Sequence, residues 1–374
     1  MKKFILIDHE PWTLRRKQLF YDMFAKAGIN LTVWDLSQWL YPGFTNPDTL
    51  SNEPYLSKVY SEKGFIELLR KENINEIIIV EEIFRIWENR IVFKILSQLE
   101  ITTIKIELYG SSVFKETLLN KLKKLSFLQF PNVFRNKWFL LKFKIYCKWH
   151  KINKPLKVLS SNATRFRTDC LNHPDYDNYK FLPHIPIISG NYIVFCDIYF
   201  PFHTDALFLY KYKKTFSGEK YHYAMRSFFD FLEKKYNMPV VIAAHPKSDY
   251  NGNEFGNRQI VKYHTDDLVI NASMVIMHLT AATSYAILAD KPLAYIVTDD
   301  YLANPNIKHQ LYRWVIGYWK LPFYNIDSTD YADKFQFEKI TEELRKNYIY
   351  SYLTSEKTDN IPNHITLKNI LSQL

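Results

Sequence analysis

The chain has 374 residues, 47% of them hydrophobic and 24% charged. That is apolar material for two packed domains and too much for a disordered chain. A net charge of +10 favours an anionic partner, and no apolar run approaches the roughly 20 residues needed to cross a bilayer. Three cysteines (Cys147, Cys170, Cys196) in no metal-ligand spacing argue against a zinc site and a disulfide framework.

The start, MKKFILIDHEPW, reads as a first strand, Phe4–Asp8, rather than a signal peptide, so the expected location is cytoplasmic. A helix over Thr13–Ala27 and a strand over Leu31–Asp35 follow. Phe65–Lys71 reads as helix, Glu76–Val80 as a strand running into Glu81 and Glu82, Ile83–Leu99 as helix and Thr103–Leu108 as strand. Strands alternating with helices predict a doubly wound parallel sheet.

Residues 111–157 break the pattern. Twelve lysines and arginines, from Lys115 through Lys121, Lys142 and Lys148 to Lys157, are opposed only by Glu116, and aromatics such as Phe127, Phe134, Trp138, Phe143 and Trp149 lie among them. On helices, this composition suits an anionic membrane surface. A helix pair with inward aromatics and solvated lysines fits as well, and single-stranded nucleic acid is a third reading without a supporting motif.

The stretch His173–Gly190 carries three prolines and reads as a linker between domains. Beyond it come a strand over Tyr192–Cys196 ending at Asp197, a loop holding Pro201, His203 and Asp205, and a helix over Glu219–Tyr236. Strands over Val240–Ala244, Ser273–His278 and Leu293–Val297 follow, with a helix over Ala281–Ala289 between the last two. A helical tail starts near Phe335. The expected domains are therefore 1–185 with the basic insertion, 186–345, and a tail, 346–374, crossing back to the first domain.

Polar residues cluster where the second domain's strands end: Asp197, then His245-Pro246, then Thr280, Thr283 and Ser284. Open parallel sheets bind ligands outside the carboxyl ends of their strands. A helix beginning near Thr280 would aim backbone N–H groups at an anion, and an imidazole could donate a proton or a hydrogen bond to a departing phosphate, its usual pKa being about 6.5. Lys247 and Arg258 are candidate contacts for donor charge. The plainer roles are a strand-closing histidine, helix-capping hydroxyls and surface cations. Asp175-Tyr176-Asp177 formally matches a metal-binding DxD, and His264, Asp266 and Asp267 read as a solvated turn. The expectation is that no metal takes part.

Two Rossmann-like halves without GxGxxG or a P-loop point away from dinucleotide enzymes and NTPases. His245-Pro246 at a strand end and the hydroxyl-bearing Thr280–Ser284 resemble the HP and S/T motifs of bacterial sialyltransferases and related transferases of Kdo and pseudaminic acid. VWDLS at Val33–Ser37, HPDYD at His173–Asp177, VFCDIYFPFHTD at Val194–Asp205, AAHPKS at Ala243–Ser248, FGNR at Phe255–Arg258 and the Thr280–Pro292 run resemble the wider pattern of capsule and O-antigen glycosyltransferases. The resemblance covers most of the second domain and is thin in the first.

It implies a GT-B-like α/β fold, two doubly wound domains facing a cleft, and a metal-independent glycosyltransferase. The donor would be a CMP-activated nonulosonic acid, the acceptor a surface glycan or lipid-linked glycan near the inner membrane face, with no nucleic acid involved. In those families the HP histidine and the S/T motif contact the leaving phosphate, which assigns His245 to catalysis and Pro246, Thr280, Thr283 and Ser284 to the donor; Lys247 and Arg258 join the donor side as candidate charge contacts. The acidic motif of the sialyltransferases has no clear copy, so Asp197 is taken as the base on position, with Asp175, Asp177, Glu81 and Glu82 in reserve. A UDP- or GDP-sugar transferase and a non-catalytic glycan- or membrane-binding component are the alternatives.

Overall fold

The computed structural model describes residues 2–108, 130–161, 170–200, 202–203 and 217–374, with the side chains of 130–137 and 306 left aside. The early part of the basic segment, including Lys115, Glu116, Lys121 and Phe127, lies outside the described residues, as do Pro201 and Asp205. The chain forms two compact units. One comprises Met1–Thr45, Thr49–Leu171 and Asn363–Leu374, the other Asn46–Asp48 and Asn172–Pro362.

The first unit holds strands β1 (Lys3–Asp8), β2 (Leu31–Asp35), β3 (Leu56–Lys58), β4 (Ile77–Glu82), β5 (Thr103–Glu107) and β6 (Lys157–Ser160). They lie in the order β3-β2-β1-β4-β5-β6, all parallel. Side chains alternate across a strand, so β1 feeds two cores. Phe4 and Leu6 face a layer containing Phe20, Phe24 and Leu367, whereas Ile5 and Ile7 face one containing Phe65, Phe93 and Phe143. Covering both faces is why the central strands read as unbroken apolar runs.

The second unit repeats the plan with β7 (Ile193–Cys196), β8 (Val240–Ala244), β9 (Ile260–Lys262), β10 (Met274–Met277), β11 (Leu293–Val297) and β12 (Phe323–Asn325). Their order, β12-β11-β10-β7-β8-β9, is the same winding, again all parallel. Both sheets are doubly wound and Rossmann-like. Each reverses its strand order at one point, between β1 and β4 in the first unit and between β7 and β10 in the second.

Several sequence expectations need correction. Ile83–Leu99 is helical only over Arg90–Gln98. The turn before it is held by the Asn89 side chain, whose Nδ2 donates to the Phe84 carbonyl at 3.0 Å. His173–Gly190 contains a helix, Pro174–Phe181, because a proline at the first helical position costs no hydrogen bond and the His173 ring accepts from Asp175 N. Thr13–Ala27 is helical as expected but is interrupted by a π-turn over Lys17–Tyr21. The tail is helical over Glu342–Tyr348 and Asn363–Leu371, while Glu338 makes an antiparallel bridge to Leu293.

The last of these helices inserts Leu367 and Leu371 into the first unit's core. Leu367 is fully buried there. Leu367→Ala should cost about 2–5 kcal/mol, as truncation of a buried leucine does. Hydrogen exchange checks this: protection should fall across β1 and β4 and hold in β7 and β8.

Candidate functional site

Parallel strands all end on one edge of their sheet, and the loops that leave them carry backbone N–H groups with no ladder partner. In the second unit that edge at the reversal point brings together Asp197 after β7, His245 after β8 and the Leu279–Ala282 turn after β10. The register pairs Cys196 with both Ala243 and Met277, so these residues start level with one another. With strands about 4.8 Å apart, β8 and β10 flank β7 at a separation of about 10 Å.

Asp197 is buried and accepts several hydrogen bonds. Tyr250 Oη donates to Oδ2 at 2.8 Å, His245 N to Oδ2 at 3.3 Å, and Tyr199 N to Oδ1 at 2.9 Å. Burial raises its pKa to about 6, against the lowering pull of those donors. The carboxyl is therefore mostly ionised at neutral pH but close to its proton. Tyr199 has φ +54, the left-handed region that a bulky residue avoids, so the turn that wraps the carboxylate is strained.

His245 is half-buried. Its Nδ1 accepts from Lys247 N at 3.1 Å, which puts the ring proton on Nε2. The His203 ring lies 4.7 Å from it, centroid to centroid. Burial first, and then the charges of His203, Lys247 and Lys262, hold its pKa well below the usual 6.5. The sequence expectation of a near-neutral imidazole is thus corrected: His245 is a neutral hydrogen-bond donor in the free protein. An arriving phosphate would raise its proton affinity.

The turn after β10 is less open than its hydroxyls suggest. Thr280 is half-exposed, and its Oγ1 accepts from Ala282 N at 3.3 Å. Thr283 and Ser284 are buried and turn inward. Thr283 Oγ1 donates to the Thr280 carbonyl at 2.8 Å and lies 3.3 Å from Tyr295 Oη. Ser284 Oγ bonds Asp175 and the Ala281 carbonyl. The helix here is only Thr283–Leu288.

Arg258 is occupied by Glu233 at 2.7 Å, Asp230 at 2.5 Å and the Phe255 carbonyl at 3.1 Å, which tie it to the helix Gly218–Tyr236. Asp177 sits 3.4 Å from Asn172 Nδ2 on the helix Pro174–Phe181. Pro246 closes the turn in which Ser248 N bonds the His245 carbonyl. His264 meets Asp267 at 3.3 Å at the surface. Among the described residues, no three His, Cys, Asp or Glu side chains are grouped to hold a metal ion.

The first unit's reversal point carries a second polar group. Asp8 ends β1 and Glu82 ends β4, in register. Arg16 bonds Asp8 and lies 3.4 Å from Glu82 and 3.7 Å from Glu10. Burial raises the Glu82 pKa to about 7 despite Arg16, and pushes Asp8 up as well. The His9 ring donates to the Glu82 carbonyl at 2.6 Å and packs 4.3 Å from Phe84. Glu81 is held by Arg85 at 2.5 and 2.8 Å.

Sequence reading passed over Asp8, His9, Arg16 and Tyr250. The polar trio Asp8-His9-Glu10 directly after β1 was the available signal, since it matches the position of Asp197 after β7. Nothing local marks Tyr250 as the partner of a carboxylate 53 residues earlier.

No protein-family model matches the chain, and no curated protein does. Among solved structures it is similar to a glycosyltransferase from Streptomyces nogalater, at 10% identity over 100% of this chain and 99% of that one, with a TM-score of 0.47. It is also similar to UDP-GlcNAc 2-epimerase from Methanocaldococcus jannaschii, solved with UDP-GlcNAc and UDP, at 10% identity over 100% of both chains and a TM-score of 0.48. A third is a glycosyltransferase from Streptomyces sp. SF2575, at 8% identity over 100% of both chains and a TM-score of 0.45. These are likenesses in the course of the chain, and no chemistry is assigned from them.

Folding moves the Asp197 carboxyl from its ordinary 3.8 to about 6, so the folded state holds the proton more tightly than the unfolded state. The associated stability is complete below pH about 4 and is given up as pH rises through 6. Asp197→Asn should therefore raise the urea midpoint relative to wild type at pH 8, and the gap should close toward pH 4. A carboxylate kept for structure alone would give a lower midpoint for the variant at pH 8.

Proposed function

We propose that this chain is a glycosyltransferase of the GT-B kind that transfers a nonulosonic acid from its CMP derivative to a bacterial surface glycan. The observation that carries this reading is the pairing, at adjacent strand ends, of a buried carboxyl poised near pH 6 with a neutral imidazole whose proton is on Nε2. Those are a base and a leaving-group hydrogen-bond donor, set on the sheet edge where ligands of such folds bind.

In this mechanism the acceptor oxygen attacks the anomeric carbon of the donor. The bond from that carbon to the phosphate oxygen breaks, and its electron pair leaves with CMP. Asp197 takes the acceptor's proton. His245 Nε2–H, the Lys247 ammonium and the Thr280 turn receive the phosphate's growing charge. One phosphate can be stabilised by such donors without a metal. Thr283 and Ser284 shape the turn through their inward bonds, and Arg258 braces the loop before β9.

Calorimetry with CMP, UDP and GDP tests the donor: CMP should bind at least about tenfold tighter, a difference of about 1.4 kcal/mol. A preference for UDP or GDP overturns the CMP assignment. For the chemistry, His245→Ala should lower kcat by about 100- to 1,000-fold, the usual loss of one charge-stabilising donor. Asp197→Ala should lower it by about 100- to 10,000-fold. In the wild type, kcat/KM should fall as pH drops through about 6, where Asp197 takes its proton. Wild-type turnover in both variants would remove both residues from the reaction.

A further inference from the structure

The helix Phe130–Trp149 has two apolar faces. One is spent on the first unit's core: Phe143 packs 6.3 Å from Phe93, and Tyr146 packs 5.7 Å from Trp87, centroid to centroid. The other is bare. Trp138, Leu141, Ile145 and Trp149 recur at i, i+3, i+7 and i+11, the spacing of a single helical stripe, and all four are exposed. Ile145 is 55% exposed and Trp149 81%. The stripe runs about 16 Å along the axis.

Its own segment is basic. Between Lys137 and Lys157 there are seven lysines and no acid. Lys144 and Lys148 border the stripe on one side and Lys142 on the other, with its Nζ 5.7 Å from the Trp138 ring. Among the described residues no helix is long and apolar enough to cross a membrane. A helix that is anchored by one face and presents tryptophans and aliphatics rimmed by lysines on the other is built to lie in a lipid headgroup layer.

The geometry points to docking of this stripe on an anionic lipid bilayer. Charge decides between occupants. A second copy of the chain meeting the stripe face to face would press two sets of lysines together. Nucleic acid would stack on the tryptophans but has no use for Leu141 and Ile145. Anionic lipid satisfies the amines and the apolar side chains at once. This inference does not depend on the glycosyltransferase reading.

The test is co-sedimentation of the full chain with vesicles of phosphatidylcholine alone and of phosphatidylcholine mixed with phosphatidylglycerol, with circular dichroism confirming that each variant is folded. Partitioning should be at least about tenfold stronger on the anionic vesicles and should weaken with salt. Ile145→Glu should reduce it at least about tenfold. Each of Lys144→Gln and Lys148→Gln should reduce it about fivefold, the worth of one lysine near an anionic surface. Tryptophan emission should shift to the blue on binding and fail to do so in Ile145→Glu. Equal partitioning on both vesicles, or binding unchanged by Ile145→Glu, overturns the proposal. So does a concentration-dependent dimer lost in Ile145→Glu without vesicle binding, or oligonucleotide binding that displaces the protein from vesicles.

Discussion

A parallel sheet leaves a debt of backbone N–H groups at its carboxyl edge, and buried aspartates settle it in this protein. Asp197 accepts from the amides of His245 and Tyr199. Asp35, ending β2, accepts from Trp12 N at 3.1 Å and Ser37 N at 2.9 Å. Asp8, ending β1, accepts from Glu10 N at 2.9 Å. Each carboxylate holds the loop that follows its strand or a neighbouring one, and a loop so held can present a side chain at a fixed place. His245 stands where it does because its own amide is bonded to Asp197.

The two reversal points hold buried carboxyls among different partners, and burial raises the proton affinity of those carboxyls at both. In the first unit Arg16 reaches Asp8, Glu10 and Glu82, so three carboxyls share one cation. In the second, a phenol and backbone amides donate to Asp197, and burial raises its proton affinity against their lowering pull. The nearby imidazole is pushed the other way by burial and by His203, Lys247 and Lys262. In the proposed reaction these two groups, displaced in opposite directions, would divide the roles of proton acceptor and neutral donor between them.

How much of this was legible follows from burial. β1, β2, β4, β5, β7, β8, β10 and β11 are covered on both faces, and their apolar runs announce them. β3, β6, β9 and β12 are the edges of their sheets. With sequences LSK, KVLS, IVK and FYN they have too few residues to show a pattern, and only pairing with a neighbour makes them strands. The helix Pro174–Phe181 was hidden by prolines that read as a linker, although proline opens helices well. Strand-end position was enough to set Asp197 and His245 on one sheet edge. The direction in which Thr283 and Ser284 point was not, because it depends on Asp175 and Tyr295, which come from other elements. Tyr250 and His203 were invisible as partners for the same reason.

The helix Asn363–Leu371 has a consequence in time as well as in space. Its leucines complete a core begun by Phe4 and Leu6, yet the whole of Asn172–Pro362 separates them along the chain. During synthesis the amino-terminal unit lacks Leu367 and Leu371 in one of its layers until the intervening unit has been made. The second unit, continuous apart from three residues, has no such delay and can consolidate first, so the order of maturation runs opposite to the order of translation.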